Sequence, residues 1–107
     1  MGNDKERKMR NIFIKDKYLS LILNGQKTQT IRKWKQCFLM PGEKFLFNFQ
    51  YQAEVMKVEK KTISELTDEE IRQDGFKTRK EFISDLTNIY GKLEYDDKIF
   101  VITFKLI

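Results

Sequence analysis

The sequence has no histidine, one cysteine and one proline among its 107 residues. Without histidine it lacks the commonest general base and metal ligand, and Ser-His or Cys-His catalytic machinery is excluded. The single cysteine, Cys37, excludes a disulfide framework and any multi-cysteine metal site. No apolar run approaches the roughly 20 residues that a membrane-spanning helix needs. Any catalysis must therefore use lysine, threonine, tyrosine or carboxylates, and we expect no metal, no cofactor and no membrane partner.

The length fits one domain, and a composition of 40% hydrophobic and 35% charged residues is typical of a globular chain. Residues 1–10 are polar and predict a flexible leader, while residues 11–107 form the single domain. The leader lacks the apolar stretch of a signal peptide, so we expect a cytoplasmic protein, and we take it to be a monomer.

The net charge of +5 is unevenly distributed. Residues 15–35 hold six basic side chains and one acidic one, whereas residues 64–74 hold five acidic side chains and one basic one. This division predicts a basic face suited to phosphate and an acidic region elsewhere. Ordinary solvated faces are the alternative explanation for both stretches.

Periodicity predicts five strands, at 11–14, 28–32, 45–49, 54–60 and 99–107. The third strand alternates, with Phe45, Phe47 and Phe49 on one face, which is typical of core rather than of a base-stacking ladder. The last strand is strongly apolar and is predicted to be central.

Three helices lie between these strands. Asp16 is placed to cap the first, which ends at Gly25. Thr67 and Thr78 each stand three residues before a glutamate, a pattern that starts a helix as a capping box. The order β-α-β-β-β-α-α-β favours an α+β fold, a small mixed β-barrel with about three helices, over a doubly wound sheet.

Residues 25–32 are the segment most suited to chemistry. Lys27 is predicted to lie exposed in the turn between helix and strand, and Thr28, Thr30 and Arg32 share one face of the strand that follows. Two residues of strand span roughly 6.6 Å, so Lys27, Thr30 and Arg32 are able to converge on one ligand. Arginine offers a planar fork to phosphate or a base edge, and threonine a hydroxyl that donates and accepts.

Lys33 and Trp34 follow this segment directly. An aromatic ring beside basic residues is suited to stacking a nucleobase. The alternatives are that the segment is an ordinary polar edge strand and that Trp34 belongs to the core.

Four blocks of the sequence, at 21–32, 41–44, 64–76 and 101–104, resemble in order those of an ASCH domain, a small relative of the PUA-like fold. The first block carries a Gly-x-Lys-x-x-x-x-Arg signature that starts at Gly25. The resemblance implies a β-barrel with a cleft lined by this signature, and RNA as the partner.

Some bacterial single-domain ASCH proteins are amidohydrolases that remove the acetyl group from N4-acetylcytidine, with a lysine base, a threonine nucleophile and a glutamate proton donor. By motif these correspond to Lys27, Thr30 and Asp74. Aspartate is one methylene shorter, so its carboxylate is expected about 1.5 Å further back, and a misplacement of about 1 Å can cost roughly a hundredfold in rate. The alternatives are that the backbone compensates for the shorter side chain, that Glu70, one helical turn earlier, is the acid, or that Asp74 only caps or pairs and the activity is absent.

We therefore predict a domain that binds RNA or a nucleoside-like ligand through a basic cleft, whose ligand-binding residues are Gly25, Lys27, Thr28, Thr30, Arg32, Lys33 and Trp34. The alternative is an amidohydrolase acting on a modified pyrimidine nucleoside. A ribonuclease, and an interaction protein that docks through the acidic helix at 68–74, are the remaining hypotheses.

Overall fold

The computed structural model describes residues 9–107. Its elements in chain order are β1 (Arg10–Ile12), α1 (Asp16–Leu23), β2 (Gln29–Arg32), β3 (Lys44–Phe47), β4 (Tyr51–Thr62), a 3-10 turn (Ile63–Glu65), α2 (Asp68–Gln73), α3 (Arg79–Tyr90) and β5 (Lys98–Leu106). The predicted α+β class and element order are confirmed. The predicted leader lies outside the described residues except for its last two, and the second of these, Arg10, already belongs to β1.

The five strands form one sheet in the order β1-β3-β4-β5-β2, in which β1 and β3 are parallel and the other pairs antiparallel. The sheet is open, not the closed barrel that the sequence led us to expect. β1 ends at Ile12 and the chain then turns into α1, so β1 does not extend along β2. A side-chain hydrogen bond links the two edge strands instead. The Nη2 of Arg32, on β2, donates to the carbonyl of Phe13, which directly follows β1, at 3.3 Å.

β5 is buried on both faces, which confirms its predicted interior position. Phe100, Ile102 and Phe104 face one core, which also holds the fully buried Phe45 and Phe47 of β3. Ile99 and Val101 of β5 face a second core, formed with the side chains of α2 and α3. Each helix therefore has an apolar surface to cover, and the space between α1, α3 and the edge strand β2 is where the candidate site lies.

Two local expectations are wrong. Asp16 does not cap α1: Lys15 occupies the N-cap position and makes no side-chain cap bond, while Asp16 lies in the first turn, where the helix dipole favours an acidic side chain. β3 ends at Phe47, because Asn48 and Phe49 adopt positive φ angles of 52° and 58° in a turn into β4. Phe49 is consequently 69% exposed instead of packed in the core.

Thr67 and Thr78 cap α2 and α3 as predicted, but the reciprocal bond of a capping box is present at Thr67 and not at Thr78. The Thr67 hydroxyl accepts from the backbone of Glu70, whose carboxylate accepts in return from the backbone N–H of Thr67. Thr78 accepts in the same way from the backbone of Glu81. Within residues 9–107, no helix is both long enough and apolar enough to cross a bilayer.

Phe47→Ala tests the packing of the first core. The Phe47 ring is fully buried, 5.0 Å from that of Phe45 and 4.9 Å from that of Phe104. Removing it leaves a cavity, so we expect a loss of roughly 3–5 kcal/mol in the free energy of unfolding measured with urea. Phe38→Ala is the matched control, since Phe38 is 55% exposed, and should cost less than about 1 kcal/mol. Equal losses for the two variants would contradict the described core.

Candidate functional site

A cavity of about 210 Å³ lies between β2, α1 and α3. Apolar side chains, among them Phe13, Phe76 and Leu86, form much of its wall. The polar side chains that line it are Lys15, Tyr18, Lys27, Thr30, Arg32, Asp74, Asp85 and Tyr90. Three of them are basic and two acidic, so the cavity is less strongly basic than the sequence indicated.

Lys27 lies at the inner end of this cavity and is only 4% exposed. Its Nζ donates to the carboxylate of Asp74 at 2.5 Å and to the backbone carbonyl of the same residue at 2.7 Å. The expectation that Lys27 is exposed at a sheet edge is therefore wrong. The reason is that the backbone N–H of Lys27 bonds to the carbonyl of Leu21 at 3.0 Å, which folds the chain back over the end of α1.

Gly75 allows the end of α2 to approach the lysine this closely. Its φ of +99° belongs to the region that favours glycine. A Cβ at this position would lie 3.0 Å from the Cδ1 of Leu21 and 3.6 Å from the Cδ of Lys27. The aliphatic stem of Lys27 thus packs against a residue that has no side chain, and the adjacent Asp74 is brought within reach of its ammonium group.

Asp74 is 3% exposed and also holds β2 in place. Its Oδ1 accepts from the backbone N–H of Ile31 at 3.2 Å, and the neighbouring carbonyl of Gln73 accepts from the N–H of Thr28 at 2.9 Å. The backbone at the end of α2 therefore approaches β2 directly. For this reason the short aspartate side chain reaches Lys27, although the sequence predicted a shortfall.

Thr30 and Arg32 lie on the same side of β2, as predicted. The Nε of Arg32 donates to the Thr30 hydroxyl oxygen at 2.9 Å, and Thr30 is 2% exposed. Among the described residues, no hydrogen bond joins the Thr30 hydroxyl to Lys27 or Asp74. The structure thus brings Lys27, Thr30, Arg32 and Asp74 to one cavity, with lysine paired to aspartate and threonine paired to arginine.

Burial is the main influence on the charge state of this group. It lowers the pKa of Lys27 and raises the pKa of Asp74, and the attraction between the two opposes both shifts. The positive charge of Arg32 lowers the pKa of Lys27 further. Burial likewise lowers the pKa of Arg32. The cavity therefore favours a neutral amine and a neutral carboxyl more than water does.

Tyr18 and Asp85 also line the cavity, although the sequence did not single them out. The Lys27 Nζ lies 5.8 Å from the centroid of the Tyr18 ring. Burial raises the pKa of the Tyr18 hydroxyl, and so does the adjacent carboxylate of Asp85. Their placement depends on how α1 and α3 pack, and no local pattern indicated it. Tyr90 of α3 lines the cavity and also packs against the second core.

The carboxylate of Glu70, the alternative acid, is engaged elsewhere. One oxygen accepts from the backbone N–H of Thr67 at 2.9 Å, and the other accepts from the Nζ of Lys61 at 2.7 Å. Glu70 does not line the cavity. To act there it would have to give up the capping box that starts α2.

Four other predicted ligand-binding residues lie outside the cavity lining. Gly25 and Thr28 are exposed on the loop before β2. Lys33 lies 3.6 Å from the carboxylate of Asp97. Trp34 is half-buried and packs against the first core, in agreement with the alternative prediction that it belongs to the core. Among residues 9–107, no three carboxylate or thiol side chains are grouped so as to hold a metal ion.

The sequence matches no protein-family model and no functionally curated protein. Its structure, in contrast, closely matches several solved ones. Hypothetical protein PH0355 superposes with a TM-score of 0.78 at 18% identity, over 94% of this chain and 100% of that one. Protein EF3133 from Enterococcus faecalis V583 gives a TM-score of 0.70 at 14% identity, over 97% and 86%.

An ASCH domain from Lactobacillus crispatus JV V101 also matches, with a TM-score of 0.64 at 14% identity, over 96% of this chain and 82% of that one. The fold thus defines a small α+β domain with an open five-stranded sheet and a polar cavity beside an edge strand. More particularly, it is an ASCH-like fold, which confirms the kind of fold that the sequence resemblance implied, except that the sheet is not closed into a barrel.

The pairing of Lys27 predicts an unusual titration. We expect its Nζ to titrate below the ordinary lysine pKa of 10.5. Asp74→Asn should lower that pKa further, because the attraction of the carboxylate is lost. Side-chain ¹⁵N NMR over a pH series measures both values. Asp68→Asn is the control, since Asp68 pairs with Arg79 at the surface, and should leave the titration of Lys27 unchanged.

The lowered pKa of Lys27 also makes the free energy of unfolding depend on pH. Between the lowered pKa of Lys27 and 10.5, the unfolded chain binds a proton that the folded chain has released. This group therefore makes the free energy of unfolding rise with pH in that window. A pKa of Lys27 at or above 10.5, or one that rises in Asp74→Asn, would contradict the described burial.

Proposed function

We propose that the cavity binds a single nucleobase of RNA or of a nucleoside-like ligand. The observation that carries this proposal is the grouping of Lys27, Thr30 and Arg32 at one small cavity with aromatic walls. Sites for drug-sized ligands span roughly 300–1,000 Å³. A volume of about 210 Å³ suits one planar ring with a small substituent.

The groups that line the cavity match the edge of a base. The guanidinium of Arg32 donates in a planar fork, and the Thr30 hydroxyl has a hydrogen to donate while its oxygen accepts from Arg32. Tyr18 and Phe76, whose rings lie 5.4 Å apart, offer aromatic surface to a bound ring. The ASCH-like fold and the net charge of +5 support a nucleic-acid partner.

Arg32→Gln tests this function. Hydrogen bonds to charged groups contribute about 1.5–3 kcal/mol, so we expect the affinity for a single-stranded pyrimidine oligonucleotide to fall roughly 10- to 100-fold. For the unaltered protein, affinity should also decrease as salt increases, with a slope near −0.7 for each phosphate contacted. Fluorescence anisotropy at two ionic strengths measures both effects.

Lys105→Gln is the matched control, because Lys105 is an exposed basic residue on β5 away from the cavity. It should change the affinity less than twofold. No binding at low salt, or equal losses in the two variants, would exclude the cavity as a nucleobase site.

We propose as a second candidate that the same cavity hydrolyses the amide of N4-acetylcytidine or of a related modified pyrimidine nucleoside. The specific observation in favour is the contact of Lys27 with Asp74, since the two residues, together with Thr30, correspond to the base, acid and nucleophile that the ASCH resemblance implies. Burial lowers the pKa of Lys27, as a general base at neutral pH requires.

In this mechanism neutral Lys27 removes the proton of Thr30, whose Oγ attacks the acetyl carbon. The Nε of Arg32 stabilises the developing alkoxide, because it already donates to this oxygen. The C–N bond breaks as Asp74 donates a proton to the departing N4 amine, which leaves cytidine and an acetylated Thr30. Water then attacks this ester while the ionised Asp74 takes its proton. The bond between the acetyl carbon and the Thr30 Oγ breaks, Lys27 returns its proton to that oxygen, and acetic acid is released.

Thr30→Val separates this reaction from binding alone. It keeps the shape of the side chain and removes the nucleophile, so we expect release of cytidine from N4-acetylcytidine to fall at least a thousandfold. Thr87→Val changes an exposed threonine on α3 outside the cavity lining and should leave the rate unchanged. Liquid chromatography of the nucleosides measures turnover. Undiminished turnover in Thr30→Val would exclude this mechanism.

A further inference from the structure

Two exposed phenyl rings, those of Phe13 and Phe49, pack on each other beside the cavity. Phe13, whose side chain also lines the cavity, is 67% exposed, and Phe49 is 69% exposed. Their centroids lie 5.3 Å apart with the rings at 79° to each other. Single exposed apolar residues are common on protein surfaces, but two phenyl rings packed on each other in solvent form an apolar patch that calls for an explanation.

The turn that presents Phe49 is held in place at an energetic cost. Asn48 and Phe49 have φ angles of 52° and 58°, in a region that bulky residues rarely adopt. The side-chain amide of Asn48 compensates by accepting from the N–H of Ile14 at 2.8 Å and donating to its carbonyl at 2.9 Å. The N–H of Phe49 donates to the side chain of Asn11 at 2.5 Å. Glycine at the position of Phe49 would avoid the strain, so the turn places a phenyl ring in solvent at a position that favours a smaller residue.

Two basic side chains of the cavity lining, Lys15 and Arg32, lie near Phe13. Lys15 lines the cavity, its side chain is 59% exposed, and its ammonium is 3.9 Å from the carboxylate of Asp85, a distance typical of a weak surface pair. The guanidinium of Arg32 donates to the backbone carbonyl of Phe13 itself. A phosphate that leads out of the cavity towards the rings would therefore meet basic groups.

We propose that Phe13 and Phe49 form a stacking platform for the base next to the one in the cavity, so that single-stranded RNA binds more tightly than a single nucleotide does. Lys15 contacts the phosphate between the two bases. The two rings are nearly perpendicular, so a base that stacks on one ring meets the edge of the other. This inference rests on the proposed function, because the first base must occupy the cavity.

The experiment compares a pyrimidine mononucleotide with the hexanucleotide of the same base, by titration calorimetry at low salt. Stacking on an aromatic side chain changes affinity roughly 5- to 150-fold per base. We expect Phe49→Ala to weaken the hexanucleotide by a factor in this range while leaving the mononucleotide unchanged. Phe49→Trp should retain the tighter binding. Tyr95→Ala, which removes an 82% exposed ring elsewhere, should affect neither ligand.

The outcomes distinguish this inference from the function on which it rests. If Arg32→Gln weakens both ligands but Phe49→Ala weakens neither, the cavity binds a base and the platform is excluded. If the unaltered protein binds neither ligand, both proposals are overturned. If Phe49→Ala converts a dimer to a monomer in sedimentation while the affinity for the hexanucleotide stays the same, the ring pair is a contact between copies of this chain and the platform is excluded.

Discussion

The buried contact between Lys27 and Asp74 is the constraint on which the geometry of the site depends. Both residues are less than 5% exposed, and burying either charge without a partner would cost several kcal/mol. Because the lysine contacts the carboxylate and the backbone carbonyl of Asp74, it fixes the distance between the end of α2 and the loop before β2. The position of Thr30 relative to the acid then follows from the course of β2.

Stability alone does not explain why this pair is present. Replacing a buried ion pair by apolar side chains of similar volume is often neutral or stabilising. Other contacts already join β2 to α2: the side-chain amide of Gln29 donates to the carbonyl of Glu70 at 2.6 Å, and the N–H of Thr28 bonds to Gln73. Since these bonds hold the two elements together, the ammonium group of Lys27 is better explained by its position in the cavity beside Thr30.

The features that the sequence predicted correctly are local ones. The capping box at Thr67 and the chain reversal at Gly25 depend on neighbouring residues, and the apolar character of β5 is a property of one strand. The burial of Lys27 was missed because its partner is 47 positions away. The local bond to Leu21 folds the chain back over α1, but the ammonium group has a buried partner because α2 is packed there, and no window of local sequence contains that packing.

Phe49 is a second residue whose burial the local sequence predicted wrongly, since it was expected in the core and is exposed. Alternation with Phe45 and Phe47 predicted a core residue, but the bonds between Asn48 and Ile14 reverse the chain one residue too early for Phe49 to enter the strand. The pattern was right for the two residues that are fully buried. At Phe49 the alternation is interrupted by the hydrogen bonds between the Asn48 side chain and the backbone of Ile14, 34 positions away.

The pKa shifts of Lys27 and Asp74 connect the two proposed functions of the cavity, binding of a nucleobase and hydrolysis of an amide. Burial moves both groups towards their neutral forms, and passage of one proton from the ammonium to the carboxylate gives a free amine and a carboxylic acid 2.5 Å apart. These are the two forms that hydrolysis of an amide requires: a base for the hydroxyl of Thr30 and a donor for the departing nitrogen.

A ligand that excludes water from the cavity lowers the local dielectric constant, and this favours the neutral pair further. Binding of the base and activation of the pair would then be the same event, and a buried lysine paired with an aspartate would serve this purpose better than an exposed lysine at a sheet edge.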